Sequence, residues 1–302
     1  MSDNRSVRGK AKANLIKPVR LLPSVITILA LCSGLSAIKF ALDGQLGLSL
    51  AMIGAAAILD ALDGRVARLF DATSKIGAEL DSLSDAISFG VAPALVLYTA
   101  LLHGGSFGWI ITLLYAVSIV LRLARFNTLL DDDTRPPFER EYFVGVPAPA
   151  GALVALLPVT MFQQWGDGWW ASTPAVTAWM LFSAVLIVSR VPTLALKSVS
   201  VPPQAAVGLL VLVAAAAAAL ITYPLLLLMV LVGLYLLHIP FAIRSQRWVA
   251  ARPETWDRKP AERRAQRRAI RRAPGNRRSA ARLGLRRPAT QIRETPRNRP
   301  AR

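Results

Sequence analysis

The sequence predicts an all-α integral membrane protein: a polytopic bundle of about eight transmembrane helices, both termini cytoplasmic, followed by a basic tail expected to be disordered. Three observations predict it. Hydrophobic residues make up 54% of the 302-residue chain. They are gathered into long, pure runs such as "VGLLVLVAAAAAALI" at 207–221, which suit a bilayer better than a soluble core. The connecting segments alternate between basic and uncharged, as cytoplasmic and external loops do.

The apolar spans fall at 24–42, 47–70, 80–102, 107–126, 150–165, 174–189, 205–222 and 224–243. The fifth and sixth are short for a hydrocarbon core that needs about 20 helical residues. A break is expected at "TYP", 222–224, where Pro224 has no amide to continue a helix. Basic residues cluster before the first span (Arg5, Arg8, Lys10, Lys12, Lys17, Arg20) and after the second (Arg65, Arg68, Lys75). They recur after the fourth (Arg122, Arg125, Arg135, Arg140) and the sixth (Arg190, Lys197). The segments "LDGQ", "HGGS", "GDGWWAST" and "TYP" contain no Lys or Arg. Basic loops face the cytoplasm, so the pattern places both ends inside. Trp165, Trp169 and Trp170 stand together where an interfacial belt would lie. The polar N-terminus, followed by a full-length apolar run, is not expected to be a cleaved signal.

The net charge of +18 belongs mostly to the tail. Residues 244–302 contain 20 Lys and Arg against four acids, whereas residues 1–243 contain 16 against 14. Three parts follow: a basic segment 1–20, a membrane domain 21–243 and an Arg-rich tail 244–302 that is expected to hold anionic lipid at the cytoplasmic leaflet. No groove-reading or aromatic motif accompanies the arginines, so no nucleic-acid partner is expected. Cys32 is the single cysteine, which excludes an internal disulfide and a cysteine metal cluster. It is read as a small packing residue.

Against this apolar background the stretch "ILDALDGRVARLFDATSKIGAELDSLSDAISFG", 58–90, places four carboxylates inside helical spans. A charged residue at a helix centre costs on the order of 2.5–3.5 kcal/mol and marks function by default. Asp60 and Asp63 are three residues apart, and Asp81 and Asp85 four apart, so each pair shares one helix face. The two helices run antiparallel, and their acids converge into one cluster near the cytoplasmic end. An all-oxygen donor set favours Mg²⁺ or Mn²⁺, and the lack of His or Cys argues against zinc. Gly64 leaves room for a ligand against the backbone. Gly77 shares a face with Asp81, and Arg68 can clamp a phosphate. By spacing alone the acids admit three readings: metal-assisted phosphoryl chemistry, a cation or proton transporter, or a structural ionic cluster with Arg65, Arg68 and Lys75.

Written as a pattern, the stretch is Asp60-x-x-Asp63-Gly64-x-x-Ala67-Arg68-x8-Gly77-x-x-x-Asp81-x-x-x-Asp85. This resembles the signature of the CDP-alcohol phosphatidyltransferase family at every fixed position. "DAISFGVAPALVLY" (85–98), "LRLARFN" (121–127), "YFVGVPAPA" (142–150) and "SRVPTLALK" (189–197) resemble the bacterial branch that uses CDP-diacylglycerol and L-serine. The resemblance spans roughly residues 20–240 and leaves the tail outside.

The resemblance implies transfer of a phosphatidyl group from CDP-diacylglycerol to L-serine, with release of CMP, at a site holding two divalent ions. Asp60, Asp63 and Asp81 would hold metal. Asp85 would be a ligand of the second ion and the base for the incoming hydroxyl. Ser24, Thr27, Gly64, Ala67, Arg68, Ser74 and Gly77 would meet the CDP part. The family's first helix often opens Pro-Asn-x-x-Thr, whereas this chain reads Pro23-Ser24-Val25-Ile26-Thr27. The carry-over is therefore direct for Thr27 and altered at Ser24. The resemblance also implies a homodimer.

Serine needs a cation for its carboxylate. Arg122 and Arg125, with Asn127 nearby, are the candidates. Glycerol phosphate, inositol phosphate and choline are the alternative acceptors. Asp131, Asp132 and Asp133 are read as a solvated acid run, His103 and His238 as lying outside the chemistry, and Phe89 with the nearby prolines as shaping the third span.

Overall fold

The computed structural model describes residues 21–72, 74–103, 106–130, 142–189, 191–194, 206–251 and 262. The N-terminal basic segment, Asp131–Asp133, Arg135, Arg140, Arg190, Lys197 and nearly all of the Arg-rich tail lie outside the described residues.

The first four apolar runs form long helices. They are α1 (Leu22–Leu42), α2 (Leu46–Leu69), a composite third span and α5 (Ser106–Leu130). The third span is α3 (Lys75–Asp85), a π-helical turn Ala86–Val91, α4 (Ala92–Leu97) and a second π turn Tyr98–Leu102. The fifth run is broken at Leu156 into α6 (Ala148–Ala155) and α7 (Leu157–Trp165). Pro158, in the first turn of α7, cannot supply the amide that a continuous helix would need. The rest comprises α8 (Thr173–Val188), α9 (Ala206–Thr222) and α10 (Pro224–Ala250). Tyr223 alone separates the last two, which is the break expected at "TYP". Among the described residues, five helical stretches are long and apolar enough to cross a membrane: 22–42, 46–69, 75–102, 106–128 and 224–245. Residues 173–188 and 207–222 are shorter apolar helices.

Small residues determine how the first three spans meet. The buried face of α1 is Pro23, Thr27, Ala30, Gly34, Ala37 and Ala41, and that of α2 is Ser49, Leu50, Ile53, Ala56 and Asp63. Backbones approach closely along such stripes, and hydroxyls then reach carbonyls on the neighbouring helix. Ser49 Oγ donates to Ala37 O (2.8 Å), Ser33 Oγ to Met52 O (2.9 Å) and Ser88 Oγ to Ala30 O (3.3 Å). A Cβ on Gly34 would lie 2.4 Å from Ser88 Oγ and 2.7 Å from its Cα, so only glycine allows this crossing.

The π turn after Asp85 has a chemical cause. Pro93 carries no N–H for the carbonyl of Phe89, four residues earlier. Tyr115 Oη on α5 donates to that carbonyl at 3.2 Å. Tyr115 and Phe89 are both buried in a core that also includes Ile53, Leu97, Ile119 and Met180. The α9 surface is the opposite case. Leu210 is 69% exposed and Ile221 85%, as a lipid-facing helix would be.

Among the described residues, one ladder departs from the helical pattern. β1 (Tyr142–Val144) and β2 (Pro192–Leu194) form a short antiparallel ladder that pairs Phe143 with Thr193. Gly145, at φ +85°, ends it and donates its amide to Val191 O at 3.0 Å. Two of the stretches singled out in the sequence, 142–150 and 189–197, thus meet across this ladder.

Candidate active site

The acids of α2 are extensions of its packing stripe. Ser49, Ile53 and Ala56 are buried on one face of the helix, with Ser49 Oγ donating to Ala37 O of α1, and the same periodicity carries on through Asp60 to Asp63. Asp63 is accordingly only 5% exposed. The next helix starts at a defined point, because Ser74 caps α3 by accepting the Gly77 amide at 3.0 Å. From that start, Asp81 and Asp85 fall on the side of α3 that faces α2.

Carboxylate oxygens of Asp60, Asp63 and Asp81 lie within 4.8 Å of one another. Asp85, one helical turn beyond Asp81, stands outside that set of three. Thr27 Oγ1 of α1 donates to Asp63 Oδ2 at 2.7 Å, and Ser84 Oγ donates back to Thr27 O at 3.3 Å. Three helices therefore fix the geometry of the acids.

Carboxylates this close repel one another unless a proton or a cation lies between them. Among the described residues the ion pair within 4.0 Å is Lys39–Asp43, on α1 and the turn that follows it. Arg65, Arg68 and Lys75 make no such pair with the acids, which removes the simplest form of the structural ionic cluster. Several carboxylates from two helices, all oxygen and held inward by packing, are the donor set of a hard divalent cation. The residues present fit the metal that the family signature implies.

A cavity of about 150 Å³ opens beside the cluster, with Asp63 and Asp81 in its wall. Ser24, Thr27, Gly64, Ala67, Ser74 and Gly77 line it, so six of the seven positions expected to meet CDP surround one space. Arg68, the seventh, is not part of the lining. Its Nη1 lies 3.9 Å from where a Cβ on Gly64 would stand, above the glycine floor.

The three positions expected to meet serine divide. Arg125 Nη1 donates to Val188 O at 2.6 Å and ties α5 to α8. Asn127 Nδ2 donates to Ser82 Oγ on α3 at 3.0 Å. Arg122 lies over the Phe126 ring, 5.9 Å from its centroid, with its Nε buried and without a hydrogen-bond partner among the described residues. The sequence did not single out Ser84, whose hydroxyl reaches Thr27 O from α3; only the crossing of α1 and α3 makes it part of the site.

The family model for CDP-alcohol phosphatidyltransferase matches residues 20–189, the part of the chain that holds all four acids. Full-length similarity extends further. A Mycobacterium tuberculosis (strain H37Rv) protein named CDP-diacylglycerol–serine O-phosphatidyltransferase is 52% identical over 94% of this chain and 98% of its own. A Mycobacterium leprae protein of that name is 50% identical over 94% and 93%. One from Helicobacter pylori (strain 26695) is 33% identical over 74% and 91%. With its acid pattern intact, converged and opening onto one cavity, the chain belongs to the CDP-alcohol phosphatidyltransferase family.

Proposed function

We propose that this protein transfers the phosphatidyl group of CDP-diacylglycerol to L-serine, giving phosphatidylserine and CMP. The observation that carries the reading is the convergence of Asp60, Asp63 and Asp81 beside the cavity lined by the signature residues. The choice of serine rests on the names of relatives that match nearly the whole chain.

Asp60, Asp63 and Asp81 would hold a divalent cation, Mg²⁺ or Mn²⁺, and Asp85 would be a ligand of a second. Such ions neutralise a diphosphate and stabilise the departing phosphate oxygen. The protein's own groups do the rest. Ser24, Thr27, Ala67, Ser74 and Gly77 enclose the CDP part, Gly64 lets it approach the backbone, and Arg68 meets a phosphate oxygen. Asp85 accepts the proton of the serine hydroxyl as the oxygen attacks the β-phosphorus. The new P–O bond forms to serine, the bond to CMP breaks, and CMP leaves with the electron pair. The membrane setting follows from the donor, whose head needs a polar pocket and whose acyl chains need lipid.

The basic loops support an active site facing the cytoplasm of a bacterial inner membrane, and the charge of residues 244–302 supports contact with anionic lipid. The family resemblance supports a homodimer.

The test is direct. Purified protein in lipid or detergent is given CDP-diacylglycerol, Mn²⁺ or Mg²⁺ and, in turn, serine, glycerol phosphate, inositol phosphate or choline, and CMP is measured. CMP release with serine is the expected result. Release with glycerol phosphate and not with serine overturns the acceptor, and no release with any alcohol overturns the activity.

A further inference from the structure

Apolar packing does little to fix the rotation of α3, the helix that carries two of the four acids. Of Lys75–Asp85, Ser84 alone is buried, while Ile76 is 83% exposed and Leu83 63%. Two hydroxyls hold the helix instead. On one side Ser84 Oγ donates to Thr27 O of α1 at 3.3 Å. On the other, Asn127 Nδ2 of α5 donates to Ser82 Oγ at 3.0 Å, and Ser82 Oγ donates to Ala78 O one turn back at 3.1 Å. Successive helical residues stand about 100° apart around the axis. Ser82 therefore lies roughly 100° to one side of Asp81, and Ser84 roughly 60° to the other. Gly77, Ala78 and Asp81, which line the cavity, fall on the arc between the two serines, and so does Asp85.

We propose that Asn127 is a positioning residue for the carboxylates of α3: through Ser82 it sets the rotation of that helix, and so the direction in which Asp81 and Asp85 offer their oxygens to a divalent cation. This rests on the metal reading above. Neither Ser82 nor Asn127 is a fixed position of the acid pattern. A helix held by hydroxyls on both flanks of its functional face cannot turn about its axis without breaking one of the two bonds. A helix held by Ser84 alone can turn. Small divalent cations demand a defined arrangement of oxygens, so carboxylates that swing with the helix bind them less tightly. Asn127, grouped by sequence with the acceptor contacts, has its amide engaged on Ser82 and acts on the metal side of the site.

The experiment measures Mn²⁺ binding to the purified protein without substrate, from the loss of the free ion's paramagnetic resonance signal. Wild type, Ser82→Ala, Asn127→Ala and the double variant are compared, and KM for serine is measured beside it at saturating Mn²⁺. Each single variant is expected to bind Mn²⁺ about three- to tenfold more weakly, the range of one neutral hydrogen bond. The double variant should lose no more than either single one, because both changes remove the same bond. KM for serine should stay within about twofold. Wild-type Mn²⁺ affinity in Ser82→Ala, a change that removes only a hydroxyl, overturns the positioning role even if Asn127→Ala does not accumulate. Additive losses in the double variant also overturn it. So does a raised serine KM with Mn²⁺ affinity unchanged, which returns Asn127 to the acceptor. Wild type that binds no Mn²⁺ overturns the metal reading, and the positioning role with it, before any variant is compared.

Discussion

Thr27 Oγ1 donates a 2.7 Å hydrogen bond to Asp63 Oδ2, which joins the start of α1 to a signature acid that is only 5% exposed. The same hydroxyl lies 3.0 Å from Pro23 O, so the first helical turn of α1 orients it. Thr27→Val keeps the shape and removes the donor. A hydrogen bond to a charged group contributes about 1.5–3 kcal/mol, so Asp63 should hold its cation roughly 10- to 100-fold more weakly. The check is the Mn²⁺ concentration at half-maximal CMP release. A titration that overlays wild type would refute the orienting role.

The acids themselves should separate folding from turnover. Asp60→Ala, Asp63→Ala and Asp81→Ala each remove one of three oxygens within 4.8 Å. Each also relieves the cost of a charge in an apolar span, about 2.5–3.5 kcal/mol at a helix centre. All three proteins should insert and elute as wild type does, yet release no measurable CMP. Asp85→Asn removes a proton acceptor and should slow turnover by about 10²- to 10⁴-fold. Chelation of divalent ions should silence wild type reversibly. Activity retained in any of the three alanine variants would count against the metal assignment.

The transfer should be direct. The cavity wall offers Ser24, Thr27 and Ser74 as hydroxyls. Thr27 donates to Asp63, and Ser74 accepts the Gly77 amide as a helix cap. Ser74 is thereby engaged as a cap, and the carboxylate beside Thr27 is the one assigned to a cation rather than to a base. Protein mixed with radiolabelled CDP-diacylglycerol and metal, without acceptor, should therefore yield no lipid bound through a covalent bond. Label that survives denaturation and delipidation would establish a phosphatidyl-enzyme instead.

Local chemistry made much of this legible in advance. The acid spacing predicted which faces Asp60, Asp63, Asp81 and Asp85 share, because helical periodicity depends on neighbours alone. The apolar runs located most helices to within a few residues, since a bilayer imposes length on each one separately, but α3 begins before residue 80, at Lys75, and α10 continues past residue 243 to Ala250. Features that depend on distant partners were not readable. The ladder pairs Tyr142–Val144 with Pro192–Leu194, segments too short to show a strand pattern. The break at Leu156 has a visible cause in Pro158, yet a proline near a helix start is compatible with either a kink or a continuous rod. The two π turns left no mark in hydropathy, although Pro93 marked the place where the helical ladder loses a donor.

That loss gives the most direct test of the packing beneath the site. Pro93 deprives the Phe89 carbonyl of its helical partner, and Tyr115 Oη meets that carbonyl at 3.2 Å. Phe89 lies four residues from Asp85, in the turn that begins just after it. Tyr115→Phe should leave a buried carbonyl underserved and cost about 1–3 kcal/mol, read as a lower melting temperature in detergent. Pro93→Ala restores an N–H within helical reach of the same carbonyl. If this account is right, Tyr115→Phe costs less in the Pro93→Ala background than in wild type, and the double-mutant cycle shows coupling. Strictly additive effects would mean that the tyrosine hydroxyl and the proline act on separate parts of the bundle.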